Sequence, residues 1–179
     1  MRTATLVLVA YVMCIVVAAI WRHMPLAAAD AIPNVGALTA AYLGHTARTV
    51  RAPSTAGAVV VGYLIDIISG TPAGLTSLVL ALTTGIARAT QQRIFVRGLA
   101  MTIGFSAFVA IVCALISLVV RALFGIPRAD LAIEMQHLAF VTMATAVVGP
   151  LVWRVFRRID AAYARTHRER DAALEGLVP

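Results

Sequence analysis

Six long apolar runs, separated by short gaps that hold most of the charge, leave this chain little choice of fold. They cover about residues 3–21, 32–46, 53–69, 75–92, 98–124 and 131–154. Of the 179 residues 61% are hydrophobic and 13% charged, and the mean hydropathy is +0.91. A soluble domain of this size leaves too much surface in water to hide that much apolar area. Lipid is therefore the expected solvent, and the expected fold is an all-α integral membrane protein of six transmembrane helices in one domain, 1–156, followed by a basic cytoplasmic tail, 157–179.

The runs are unequal. Thr3–Trp21 is nineteen residues long, enough to cross a bilayer at about 1.5 Å per residue. A secretory signal competes for the same segment, with Leu6–Ile20 as its core and Ala27–Ala29 as a cleavage region, although the core is long and cations follow it directly. Ile32–Thr46 reaches roughly 23 Å if helical. It is either a short span or a re-entrant element enclosed by its neighbours. Pro150 predicts a kink or a stop in the sixth run. Phe156, Ile159 and Tyr163 recur at helical spacing, so that helix is expected to continue along the interface. The tail's arginines there attract anionic lipid.

All fifteen cations are arginine, and they sort by gap. Twelve fall to one side: Arg2, Arg48, Arg51, Arg88, Arg93, Arg97 and the six from Arg154 to Arg170. Arg22, Arg121 and Arg128 fall to the other. Arginine excess marks the cytoplasmic side, which predicts a multi-pass membrane protein with both termini cytoplasmic. No basic surface interleaved with aromatics is present, so no nucleic acid is expected.

One stretch, Gly62-Tyr63-Leu64-Ile65-Asp66-Ile67-Ile68-Ser69-Gly70-Thr71-Pro72-Ala73-Gly74-Leu75, joins an isolated carboxylate to strict turn chemistry. Gly57 and Gly62 suit close helix approach. Gly70 supplies a helix stop and Pro72 fixes φ ahead of the next start. Asp66 sits near a helix C-terminus, where the macrodipole opposes it. It is expected to find an arginine or to be held protonated, as a buried ion pair or hydrogen bond holding helices together, as part of a binding or coupling site, or as an exposed interfacial carboxylate. Bulk at Gly70 is expected to be excluded.

The arginine count brings Asp66, Glu134 and His137 to similar depth near the outer face, beside Arg22 and Arg121. Glu134 and His137 share a helix face. Di-metal bundles need a second Glu-x-x-His pair and two further glutamates, so no metal is expected. Cys14 and Cys113, each inside an apolar run, read as packing residues. No catalytic trio and no phosphate loop is present. Neither enzymatic activity nor a cofactor is expected.

Gly62-x3-Asp66-x3-Gly70-x-Pro72-x-Gly74-Leu75 resembles the central signature of the rod shape-determining protein MreD family. The short second run opening Ile32-Pro33-Asn34 and the basic break after the fourth run are also similar, over about residues 3–156. The resemblance implies six helices, similar in fold to the substrate-binding subunits of energy-coupling-factor vitamin transporters. It implies a non-catalytic component of the cell-wall elongation complex that maintains rod shape from the bacterial inner (cytoplasmic) membrane. The implied partners are an MreC-like single-span protein, a RodA-like glycosyltransferase with a class B penicillin-binding transpeptidase, and MreB-like filaments. The alternative on the same fold is a transporter's solute-binding subunit, motivated by the cluster of Asp66, Glu134 and His137.

Overall fold

Apolar runs joined by gaps too short for anything but a reversal must fold as helices that alternate in direction. The computed structural model describes residues 2–23, 31–46, 51–91, 98–126 and 130–175. Its helices are α1 (Arg2–Arg22), α2 (Val35–Thr46), α3 (Arg51–Ser69), α4 (Leu75–Gln91), α5 (Leu99–Leu123) and α6 (Leu131–Glu175), with no strand among the described residues. The proposed cleavage region at 27–29 and Arg48, Arg93, Arg97 and Arg128 lie outside the described residues.

Long-range contacts fix two ends of the bundle. At one, a Cβ on Gly57 of α3 would touch Thr3 and Val7 of α1 and Leu43 of α2. There too, His45 of α2 meets Phe105 of α5 and Trp153 of α6, and Arg88 of α4 donates to Ser54 of α3. At the opposite end gather the start of α2, the α3–α4 turn, the end of α5 and the start of α6. The six helices therefore run alternately toward and away from that second end. Arg2, Arg88 and Arg154 lie toward the first end, and Arg22 and Arg121 toward the second.

Three helices, α1, α5 and α6, are long and apolar enough to cross a membrane, while α3 and α4 are apolar but shorter. With 12 residues, α2 extends only about 18 Å, well short of the roughly 30 Å hydrocarbon layer. Its place explains how so short a helix is kept. Every residue from Val35 to Gly44 is buried, and α2 touches all five other helices. Gly36, Ala37, Ala40, Ala41 and Gly44 make that enclosure possible: a Cβ on Gly44 would lie 2.5 Å from the Thr84 carbonyl of α4.

The distribution of polarity suits lipid rather than water. Leu8, Val12, Val16 and Ile20 of α1, and Val147 and Leu151 of α6, are exposed. The interior holds Thr39, Thr83, Thr84, Ser106 and Thr145, whose hydroxyls each donate to the carbonyl four residues earlier. That bond removes the cost of a bare hydroxyl away from water.

Pro150 does not end the sixth helix. It lies inside α6, 45 residues long, where it removes one N–H from the ladder. Gly149 beside it packs directly on Ser106 of α5, leaving no room for a Cβ. Nor is there a break at 156/157: Phe156 is fully buried, and Asp160 and Tyr163 still bond to α1 and α2.

Candidate functional site

The Gly62–Leu75 stretch folds into a clamp between α3 and α4. Gly74 stands at the N-cap of α4, where most helices place a side-chain acceptor, and glycine has none. Asp66, in the last turns of α3, supplies it from across the turn. Its Oδ2 accepts the Gly74 N–H at 2.9 Å, and both its oxygens accept the Thr76 N–H, at 3.1 and 3.2 Å. The Thr71 hydroxyl donates to Oδ1 at 2.7 Å.

Among the described residues no arginine meets Asp66; the hydrogen-bond alternative, a pin between two helices, is the one the fold realises. Asp66 is buried, and N–H and O–H donors meet both of its oxygens. The opposing dipole at the end of α3 is offset by the positive end of α4, which the carboxylate now faces. The signal lay in the spacing: an acid eight residues before a helix-opening glycine, across a reversal too short to hold anything else.

The glycines divide by cause. Gly70 (φ +65°) and Gly74 (φ +96°) adopt backbone that favours glycine, yet a Cβ at either would meet nothing within 4 Å. Bulk at Gly70 therefore has room, and the restriction is conformational. Gly62 is the reverse case: a Cβ there would lie 2.5 Å from Ser77 Cα and 2.6 Å from its nitrogen. Ser77 completes the clamp by donating to the Val59 carbonyl of α3 at 3.1 Å. Pro72 is exposed, and its carbonyl accepts the Leu75 N–H at 3.1 Å.

Beside the clamp, at the same end, lies a cavity of about 470 Å³ that continues into a second of about 200 Å³. Asn34, Cys113, Ser117, Arg121 and His137 border both, and Glu134 borders the smaller. Glu134 falls in the first turn of α6, where the dipole favours an acid. One of its carboxylate oxygens is 4.0 Å from an Arg121 nitrogen. Asn34 caps α2 by accepting the Ala37 N–H at 2.8 Å, donates its own N–H to Thr145 at 2.9 Å, and turns its amide toward Cys113. The structure thus brings Glu134, His137 and Arg121 together around one space. Asp66 is not part of that lining, because its oxygens are committed to the clamp.

A third polar group was hidden in the tail. Asp160 accepts two bonds from the Arg2 guanidinium, at 2.6 and 2.7 Å, and one from the Tyr42 hydroxyl at 2.6 Å. Thr5 and Tyr163 are bonded one turn further on. The ends of α1 and α2 are tied to α6 there. Sequence reading missed it because Asp160 sits among arginines that account for it locally.

Among the described residues no group of three or more histidine, cysteine, aspartate or glutamate side chains is placed to hold a metal. What the fold and the three polar centres define is an all-helical protein with helices able to cross a membrane. No protein-family model, no curated protein and no solved structure matches the chain.

Proposed function

We propose that this protein is a non-catalytic membrane component of the bacterial cell-wall elongation machinery, of the MreD kind. It sits in the inner membrane with six crossings and both termini in the cytoplasm. The observation that carries the reading is the use of the signature stretch. Gly62, Asp66, Thr71, Gly74, Thr76 and Ser77 are all committed to holding two helices together. A motif spent on rigidity suits a scaffold that links an MreC-like partner and the peptidoglycan synthases to a cytoskeletal filament. The continuous α6, reaching Glu175, extends the bundle on the arginine-rich side, where anionic lipid and a filament are available. Depletion in a rod-shaped host should produce spheres, and an MreC-like protein should co-purify. Unchanged shape with no such partner would end the proposal.

One observation favours a second reading. The cavity at the Asn34–Arg121–His137 end falls in the size range of small-molecule sites, about 300–1,000 Å³. It suits the solute-binding subunit of a vitamin transporter on the same fold, which should carry a water-soluble molecule through purification.

A further inference from the structure

The cavity has two unlike walls. One is apolar and built from α1 and α3, with Ile15 and Ile68 among its residues. The other carries Ser117 and Arg121 of α5 and His137 of α6. Asn34, from the segment entering α2, stands between them.

The apolar wall opens sideways. Among the described residues α1 packs on α2 and α3 and reaches α6 through Arg2 and Thr5, but it does not meet α5. The gap between α1 and α5 at this end is the cavity itself. Ile15, Ile32 and Ile68 at its border remain 44%, 46% and 55% exposed, on the same apolar periphery as Val12, Val16 and Ile20. A site for a water-soluble solute has no use for an apolar opening toward the bilayer. A lipid chain does.

The polar end carries both signs. At 4.0 Å, Arg121 and Glu134 form an ion pair without a hydrogen bond between them, and among the described residues neither side chain is hydrogen-bonded elsewhere. The guanidinium fork matches phosphate oxygens, and Ser117 stands one helical turn from it to add a hydroxyl. Glu134 is the complement for a cationic group. A plain anionic headgroup would meet the Glu134 charge unpaired, and a plain cation would meet Arg121.

We propose that this cavity is a lateral lipid site for a zwitterionic phosphate–ammonium headgroup, with phosphate on Arg121 and ammonium on Glu134. The acyl chain leaves between α1 and α5 along Ile15 and Ile68. The site stands apart from the scaffold reading and holds whether or not the chain binds elongation proteins.

The test uses the full chain, delipidated in detergent and offered three probes: phosphatidylethanolamine, phosphatidylglycerol and soluble glycerophosphoethanolamine. Native mass spectrometry should show phosphatidylethanolamine retained about tenfold better than either of the others. Arg121→Gln should lower that retention about tenfold, and Glu134→Gln should erase the preference over phosphatidylglycerol. Arg22→Gln, at the same end but outside the lining, should change nothing. Ala18→Trp obstructs the opposite wall without touching a charge and should reproduce the Arg121→Gln loss. Equal retention of the two lipids by the unaltered chain would overturn the proposal, as would Arg121→Gln and Ala18→Trp proteins that bind normally. Soluble glycerophosphoethanolamine binding as tightly as the lipid would overturn the lipid assignment in favour of a solute.

Discussion

The Thr76 N–H of α4 points between the two carboxylate oxygens of Asp66 on α3, 3.1 and 3.2 Å away, so the acid of one helix serves as the N-terminal cap of the next. Replacement of Asp66 should follow bonding capacity rather than charge alone. In Asp66→Asn one oxygen can still take the Gly74 and Thr76 N–H groups, while the amide donates to a turned Thr71 hydroxyl. A loss of about 1 kcal/mol is expected from the missing charge assistance. Asp66→Ala leaves those partly buried donors without an acceptor and should cost about 2–3 kcal/mol. Thermal unfolding in detergent should rank the proteins wild type, Asn, Ala; an Ala variant as stable as Asn would contradict the clamp.

The same turn separates strain from clash. Gly70→Ala meets no atom and should cost only the left-handed backbone penalty, about 1–2 kcal/mol, with Gly70→Asn milder. Gly62→Ala forces α3 and α4 apart at Ser77 and should cost more, as overpacking does. If Gly70→Ala were the worse of the two in thermal unfolding, the close approach of α3 and α4 at Gly62 would not be the tighter constraint.

How much of this was readable in the sequence depends on what lipid does to a pattern. The existence and order of the helices followed from apolar runs and arginine gaps. The turn at Gly70–Gly74 followed from its glycines and proline. Enclosure of α2 by its neighbours was one of two alternatives its length left open, and periodicity could not choose between them, because in a bilayer an outward face and an inward face are both apolar. Leu38 and Leu8 read alike, yet one lies on the axis of the bundle and the other on its rim. Asp66 was visible, but its partner was backbone, which has no letter in the sequence. Glu134, His137 and Arg121, which the arginine count grouped, border one cavity.

Gly149 and Ser106 offer a test by compensation. A Cβ at 149 would fall on the Ser106 side chain, so Gly149→Ala should destabilise the α5–α6 contact by about 1–3 kcal/mol. Ser106→Gly removes the obstructing atoms. The double variant should recover most of the unfolding temperature lost by Gly149→Ala, measured against Ser106→Gly alone. Simple additivity of the two losses would show that these residues do not share one crossing.

The network at Asp160 predicts an uneven pair of losses. Tyr42 is almost fully buried and packs on Trp153 and Phe156, with ring centres 5.2 and 5.1 Å away. Tyr42→Phe keeps those contacts and loses one bond to a carboxylate, for about 1.5 kcal/mol. Arg2 is 43% exposed, so its ion pair with Asp160 is screened and Arg2→Gln should cost less than about 1 kcal/mol. Asp160→Ala removes the bonds to both partners and orphans the Tyr42 hydroxyl, so it should exceed either single loss. Raising the salt concentration should shrink the effect of Arg2→Gln and leave that of Tyr42→Phe unchanged. The opposite salt response would mean that Tyr42, rather than Arg2, is the solvent-facing member, against the packing of α2 at the centre of the bundle.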